Sequence, residues 1–226
     1  MKSFVRLGFV IAALVFFVSG FTSCEDKKFL KRMESHSKSL KSFRADITME
    51  KFISEIGETD VYKGKIIYVL PKERSFATWI QWNSPVEESL VVLDNQFTLY
   101  RPRLAQAIIG NINKEGVSPI VSEVLAFMNP SAEQLKANYN IKDFGEKQIG
   151  NGTKTRHLEF APKVAKNNYK SAEFWIDDSG MAIQMKVVEN NNDTITILFT
   201  NIQKNINVKD SDFKINYPKN TKIVKG

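Results

Sequence analysis

The sequence predicts a single, mainly β domain, an antiparallel meander with a few helices, and three observations support this prediction. Apolar and polar residues alternate with a period of two in short runs from about residue 44 onward. Turn residues such as Asp94 and those at 177–180 separate these runs by only a few positions. Helical patterning interrupts the strands only at 118–135, which disfavours the regular strand–helix alternation of a parallel fold.

The elements follow in order along the chain. A first helix is predicted because Phe29, Leu30, Met33, Leu40 and Phe43 recur at about helical spacing. About eleven strands follow it, with the run at 104–109 as a further candidate. The other predicted strands cover residues 44–50, 61–69, 76–82, 88–93, 96–100, 139–144, 155–160, 172–176, 183–188, 194–200 and 213–217.

Single residues predict where several of these elements begin, bend or turn. Gly64 lies inside the second strand and predicts a bulge or bend there. Ser118 can cap a helix and Pro119 suits its first position, so residues 118–128 are predicted to be helical. Ser131 is predicted to cap a second short helix, and residues 177–180 a hairpin turn.

The N-terminus has the layout of an export signal. Basic Lys2 and Arg6 precede an apolar run at 7–18, and small residues follow it up to Cys24. The run is shorter than the roughly 20 residues of a membrane span, and charged residues follow it. We therefore predict a signal peptide at 1–23 and one domain at 24–226, in an exported protein of the periplasm.

Cys24 is the only cysteine and has two interpretations. Residues 21–24 resemble a bacterial lipobox, which would make Cys24 the lipidated first residue of a lipoprotein and a membrane anchor. Phe21 departs from the usual Leu of that motif. The alternative is ordinary cleavage, for example after Gly20, which leaves a free thiol. A single cysteine forms no intramolecular disulfide, so a hydrophobic core must hold the domain.

Composition and charge narrow the function classes. The sequence is 42% hydrophobic, enough for a packed core, and its formal net charge is +7. Removing Lys2 and Arg6 with the signal takes two charges from +7 and leaves +5. We interpret this as a mildly basic, solvated surface, while attraction to anionic headgroups or an acidic partner is the sharper alternative. Nucleic-acid binding is not expected, because no basic stripe is concentrated enough.

The chain offers little catalytic chemistry. Its two histidines, His36 and His157, are far apart, and no Cys/His spacing fits a zinc site. The acidic pairs Glu87-Glu88 and Asp177-Asp178 fall at strand ends and turns, where adjacent side chains point to opposite faces. We predict no enzyme, no catalytic residues, no metal and no cofactor, and a function carried by a surface or a cavity.

A series of short motifs runs in a consistent order along the chain. Gly64 to Pro71 matches the spacing G-x-L-x-x-x-R-P, and Phe76 and Trp79 mark an aromatic strand. The further motifs are Pro85 to Asn95 (P-x-E-x-x-L-V and a D-G-K turn), Leu99 to Pro102 with Gln106 (W-x-Y-x-P…Q), Leu158 to Pro162 (L-x-L-x-P), the paired strands at 174–180 and 193–201, and Phe213 to Pro218 (F-x-F-x-x-P). In order and spacing they resemble the LolA family of periplasmic lipoprotein carriers, over nearly all of the chain after the signal.

The resemblance implies an unclosed antiparallel β-barrel covered by a helical lid, to which residues 118–128 would contribute. It also implies a carrier that binds the acyl chains of lipoproteins in its apolar interior. Such a carrier takes its cargo from an inner-membrane ABC-type releaser, passes it to an outer-membrane acceptor, and is expected to act as a monomer. Strand parity together with the resemblance predicts the lining residues Trp79, Leu90, Val92, Leu99, Leu125, Phe127, Phe174, Met185, Ile195, Ile197 and Phe199.

Two departures from the family pattern keep alternatives open. Leu70 stands where the family has an Arg that holds the lid, and Arg74 lies close by as a substitute. Cys24 suggests a lipid anchor, whereas the classical carriers are soluble. The alternatives are a membrane-anchored LolB-like acceptor and an envelope-stress sensor domain on the same fold. An enzyme that acts on envelope lipid or glycan, with His157 as its test residue, is a third.

Overall fold

The computed structural model describes residues 24–69, 77–94, 96–111, 131–150, 152–164 and 169–225. Helix α1 spans Cys24–Ser39 and α2 spans Ala132–Asn138. The strands are β1 Ser42–Ile53, β2 Glu58–Val69, β3 Ala77–Ser84, β4 Glu88–Leu93, β5 Gln96–Arg101, β6 Gln106–Asn111, β7 Tyr139–Ile149, β8 Thr153–Pro162, β9 Tyr169–Ile176, β10 Ala182–Glu189, β11 Thr194–Lys204 and β12 Lys222–Lys225. The predicted signal peptide, the lid segment 118–128, Leu70, Arg74 and Phe76 lie outside the described residues.

The twelve strands form one sheet in the order β12-β6-β5-β4-β3-β2-β1-β11-β10-β9-β8-β7. Neighbouring strands are antiparallel except β12 and β6, which are parallel. Two meanders, β1 to β6 and β7 to β11, are joined by the long-range pairing of β1 with β11, where Ile47 lies opposite Phe199. Among the described strands β12 and β7 are the edges, so the fold is the predicted unclosed barrel with helices over its inner face.

The inner face of the sheet carries the hydrophobic core. On β1, Phe43, Ala45 and Ile47 are buried, whereas Arg44 between them is exposed. The ring of Phe43 contacts the rings of Tyr68 on β2 and Phe199 on β11 at centroid distances of 5.5 Å each. The alternation of burial along β1 therefore follows the period of two that the sequence shows.

The two helices pack on this inner face. On α1, Leu30, Met33 and Ser37 are buried at helical spacing, so one stripe of the helix meets the sheet. On α2, Leu135 is buried, and the Ser131 side chain accepts a hydrogen bond from the backbone N–H of Gln134. The predicted cap is therefore confirmed.

Gly64 lies where the backbones of β2 and β3 are close together. The pairing shifts register between Lys63 and Gly64, which is the predicted irregularity. A Cβ on Gly64 would lie 2.0 Å from the backbone oxygen of Gln81, so no side chain fits without moving β3.

The prediction of a strand at 213–217 is wrong. A single 3₁₀ turn, Asp210–Phe213, contacts β3 and β4, and the chain then passes on without strand structure to β12. This segment packs against the sheet instead, since the ring of Tyr217 contacts the ring of Tyr100 on β5 at a centroid distance of 5.7 Å. The alternation at 213–217 therefore reflects packing onto the outer face and not pairing within the sheet.

We predict that Gly64→Ala lowers the free energy of unfolding by roughly 2–3 kcal/mol, because the added carbon overlaps the backbone of β3. Gly57→Ala is the matched control, since no atom lies within 4 Å of its Cβ position. The control costs only the strain of a positive φ, about 1 kcal/mol. Urea titrations of both variants measure the difference. Equal losses in the two would contradict the close approach.

Candidate functional site

The inner face of the sheet is covered unevenly. We call the end that carries the β1–β2 turn and the β3–β4 and β5–β6 loops the loop end of the barrel. The opposite end, where α1 meets the β9–β10 turn, we call the helix end. On the inner face toward the loop end, half-buried apolar side chains come from six strands and from several rows of the register: Met49, Tyr62, Trp82, Leu90, Leu99, Ile195 and Ile197. Apolar surface therefore remains accessible there.

The predicted lining residues fall into three groups on the described strands. Leu90, Leu99, Ile195 and Ile197 face inward and are only partly buried. Val92, Phe174, Met185 and Phe199 are buried in the closely packed part of the interior. Trp79 lies on the opposite face of the sheet. Leu125 and Phe127 are outside the described residues.

Trp79 has the outer position because strand parity places it there. It pairs with Ile67 and Val91, whereas its neighbour Ile80 belongs to the core. Adjacent strand residues point to opposite faces, so the inward aromatic side chain of β3 is Trp82. Trp82 packs against the core and contacts Tyr62 edge-on at 5.9 Å. Trp82 lies two residues after Ile80, and this shared parity was the signal in the sequence that could have identified Trp82 as the inward-facing residue.

A polar pair marks the boundary of this apolar surface. Arg101 Nε lies 3.1 Å from a carboxylate oxygen of Glu88, and both side chains are partly exposed. Glu88 precedes Leu90 by two residues on β4, and Arg101 follows Leu99 by two on β5, so all four side chains share the inner face. The surface is thus charged at the rim and apolar further inside.

Two described polar groups on the inner side of the sheet are neutral or paired. Burial raises the pKa of the Tyr68 phenol to about 12, so this ring is neutral at physiological pH. Arg156 donates from Nε to an Asp143 carboxylate oxygen at 2.7 Å, which pairs two charges on the inner side of β7 and β8. Such an interior accepts apolar groups and rejects unpaired ions.

At the helix end, α1 is held against the β9–β10 turn. Ser179 Oγ donates to an Asp177 carboxylate oxygen at 2.6 Å and accepts from Lys204 Nζ at 2.7 Å, while His36 Nδ1 lies 3.5 Å from the same hydroxyl. The backbone of α1 passes so close that a Cβ on Gly180 would lie 2.6 Å from the oxygen of Arg32. This helix–turn contact fixes α1 over the interior.

His157 lies on the outer face in a stacked cluster. Its ring lies between Phe144 at 4.6 Å and Trp175 at 4.2 Å, and its Nε2 is 2.7 Å from a Glu173 carboxylate oxygen. These contacts hold a hydrogen-bonded His157–Glu173 pair on the side of the sheet away from the accessible interior. In the described part of the chain no group of three or more potential metal ligands occurs.

A separate cleft of about 560 Å³ lies on the outer face beside the 3₁₀ turn. It is lined by Val91, Leu93, Asp94, Gln96, Thr98, Asn111 and Phe213. Its lining mixes amides, a hydroxyl and a carboxylate with apolar groups, so it is less suited to an apolar chain than the inner face. Over the described residues, the helices are too short or too polar to cross a membrane.

Comparisons with known proteins agree with the fold. Residues 74–216 match the family model described as "Outer membrane lipoprotein carrier protein LolA". No curated protein sequence matches the chain.

Several solved structures are similar at low sequence identity and show a shared fold. An uncharacterized conserved protein from Thermus thermophilus has 12% identity and a TM-score of 0.56, over 89% of this chain and 99% of that one. LprF from Mycobacterium bovis has 13% identity and a TM-score of 0.52, over 83% and 96%. A chain in the complex structure of Pseudomonas aeruginosa MucA/MucB has 14% identity and a TM-score of 0.51, over 85% and 61%.

We predict that acidification weakens the fold through His36. Burial is the largest cause that lowers the pKa of His36 below its ordinary value of 6.5, and the nearby Lys204 ammonium adds to it, with Asp177 opposing. The unfolded chain therefore binds a proton more readily than the folded one, so stability falls as pH drops through 6.5 and levels off below the folded pKa.

The measurement compares wild type with His36→Gln, which cannot titrate. Urea titrations at several pH values between 5 and 8 should show a steeper loss of unfolding free energy in wild type than in the variant. Identical pH profiles would show that His36 does not carry this dependence.

Proposed function

This chain belongs to the LolA family of outer membrane lipoprotein carriers, and on that premise we propose that it binds the acyl chains of lipoproteins in its interior. The binding surface is the inner face near the loop end, between the sheet and its helical cover. The protein acts as a periplasmic carrier that moves lipoproteins toward the outer membrane, and it performs no covalent chemistry.

One observation carries this proposal. Leu90, Leu99, Ile195 and Ile197 face the interior, yet they stay partly exposed, while the same face is closely packed under α1. Exposed apolar surface in a concave site favours an apolar ligand, because covering it removes that surface from water. Each buried CH₂ group of an acyl chain contributes about 0.8 kcal/mol, so a long chain is held strongly.

The rim pair supports a defined orientation for the ligand. Arg101 and Glu88 lie at the edge of the apolar surface, and Leu90 and Leu99 follow further inside. An acyl chain would extend inward, with its ester or amide end near the charged pair. This orientation leaves the protein part of a lipoprotein outside the barrel.

Release requires the cover to move. We propose that an inner-membrane ABC-type releaser loads the carrier and that an outer-membrane acceptor unloads it, as the family membership suggests. Leu70 stands in place of the family Arg, and the contact between α1 and the β9–β10 turn is one of the described contacts that hold a covering helix.

A second candidate is a sensor domain that binds a membrane partner. The likeness to a chain of the MucA/MucB complex motivates it, although this chain spans only 61% of that one. Capture of a membrane regulator, in place of lipoproteins, would favour this candidate.

We predict that Ile197→Ser weakens the binding of a fluorescent palmitate analogue about tenfold, since it removes an apolar contact from the proposed surface. Leu198→Ser is the matched control, because Leu198 is the next residue of β11 and lies on the outer face, opposite Thr48 and Gln184. Fluorescence titrations measure both affinities, and displacement by a diacylated lipopeptide tests the lipoprotein cargo. Equal losses, or no binding by wild type, would contradict the proposal.

We also propose that Cys24 is lipidated in the exported protein. Intact-mass measurement should then give the mass of a mature chain that begins at Cys24 and carries two or three acyl chains. That result would shift the function from a soluble shuttle toward an anchored, LolB-like acceptor. A mature chain with a free thiol, or without Cys24, would contradict lipidation and retain the shuttle.

A further inference from the structure

The edge of the sheet at β12 carries an exposed surface that is both apolar and basic. We call it the C-terminal edge patch and define it by Arg103, Leu104, Lys219, Lys222 and Ile223. Leu104 is 65% exposed and Ile223 is 45% exposed, both high for large apolar side chains. Exposed apolar groups of this kind mark interaction sites when they occur together.

Backbone contacts make this patch continuous. The N–H of Lys222 donates to the oxygen of Ala105 at 2.7 Å, which joins the β5–β6 loop to the start of β12. The N–H of Thr221 donates to the oxygen of Pro218 at 3.0 Å and closes the turn that carries Lys219. The β5–β6 loop that carries Leu104 therefore lies beside the start of β12, where Lys222 and Ile223 point to the two faces of this edge strand.

The charge of the patch has one sign. From residue 213 to the end, the sequence contains Lys214, Lys219, Lys222 and Lys225 and no acidic residue. Among the described residues, no carboxylate forms an ion pair with Arg103, Lys219 or Lys222.

A comparison within the same chain shows that exposure alone does not define the patch. Ile56 in the β1–β2 turn is 59% exposed and also lies at the loop end. It is flanked by Glu55 and Glu58, so an anionic surface would repel that turn. The C-terminal edge patch combines exposed apolar groups with cations alone.

We propose that the C-terminal edge patch docks the protein onto the surface of an anionic phospholipid bilayer. The lysines and Arg103 approach the headgroups, while Leu104 and Ile223 enter the boundary with the acyl region. The patch lies at an edge of the open barrel, and Leu104 follows Leu99 and Arg101 along the chain. A docked membrane therefore lies beside the rim of the accessible interior, where a lipid chain would enter or leave.

Vesicle co-sedimentation tests this docking. The chain that begins at residue 24, with Cys24→Ser to remove any lipid attachment, contains every helix and strand described above. It should bind phosphatidylglycerol vesicles, bind phosphatidylcholine vesicles far less, and lose binding as salt is raised. Lys219→Gln with Lys222→Gln should weaken binding about 25-fold, about fivefold for each lysine. Leu104→Ser should also weaken it.

Matched variants elsewhere on the surface keep the proposal open to refutation. Lys147→Gln with Lys154→Gln removes the same two charges from the exposed β7–β8 hairpin. Ile56→Ser removes an exposed apolar group at the loop end, where the C-terminal edge patch also lies. Both should leave vesicle binding unchanged. The proposal is overturned if these controls weaken binding as much as the patch variants, or if wild type binds both kinds of vesicle equally or neither. This readout needs no chain in the interior, so its failure is distinct from failure of acyl binding.

Discussion

The apolar inner face of an open sheet must be covered, and the rest of this structure depends on how that is achieved. A closed barrel would shield its own interior, but here the described edges β12 and β7 are not neighbours in the sheet. At the helix end, α1 covers the face with Leu30 and Met33, and its backbone passes Gly180 so closely that a side chain there would overlap it. Toward the loop end, the apolar side chains of the described residues on this face are only partly buried.

Much of the fold follows from local sequence because strands and turns are local features. The alternation on β1, the Ser131 cap and the turn at 177–180 were predictable, since each depends on residues a few positions apart. The pairing of β1 with β11 was not, because it joins Ile47 to Phe199 across most of the chain and no local pattern specifies that register. The strand predicted at 213–217 was wrong for a related reason. The apolar residues of this segment alternate because they pack on the outer face of the sheet, and the segment has no strand partner.

The candidate site was predictable by face but not by burial. The register has Leu90 and Ile197 on the inner face, as strand parity predicts, yet parity cannot tell an accessible position from a packed one, and their role as lining residues stays a prediction. Phe174 and Phe199 share that face and are buried in the core. The difference arises from where the helices lie, which is a tertiary property. Trp79 shows the opposite case, since it was predicted to line the interior, whereas the register places it on the face opposite to that of Ile80.

Under the proposed function, the uneven burial of the inner face would separate the stability of the fold from the exchange of a bound chain. A carrier must open and close without unfolding, so the contacts that hold the sheet together cannot be those that a ligand displaces. Here the aromatic contacts of Phe43 with Tyr68 and Phe199 lie in the packed interior, while the half-buried residues lie near the loop end. An acyl chain bound near the loop end, as proposed, would displace water and leave the core side chains in place, so binding would not require the core to be disrupted. Helix α1 begins at Cys24, so a lipid on that residue would attach directly to the helix that covers the packed interior. Tethering would then act on the stable part of the barrel and leave its loop end free to exchange lipid.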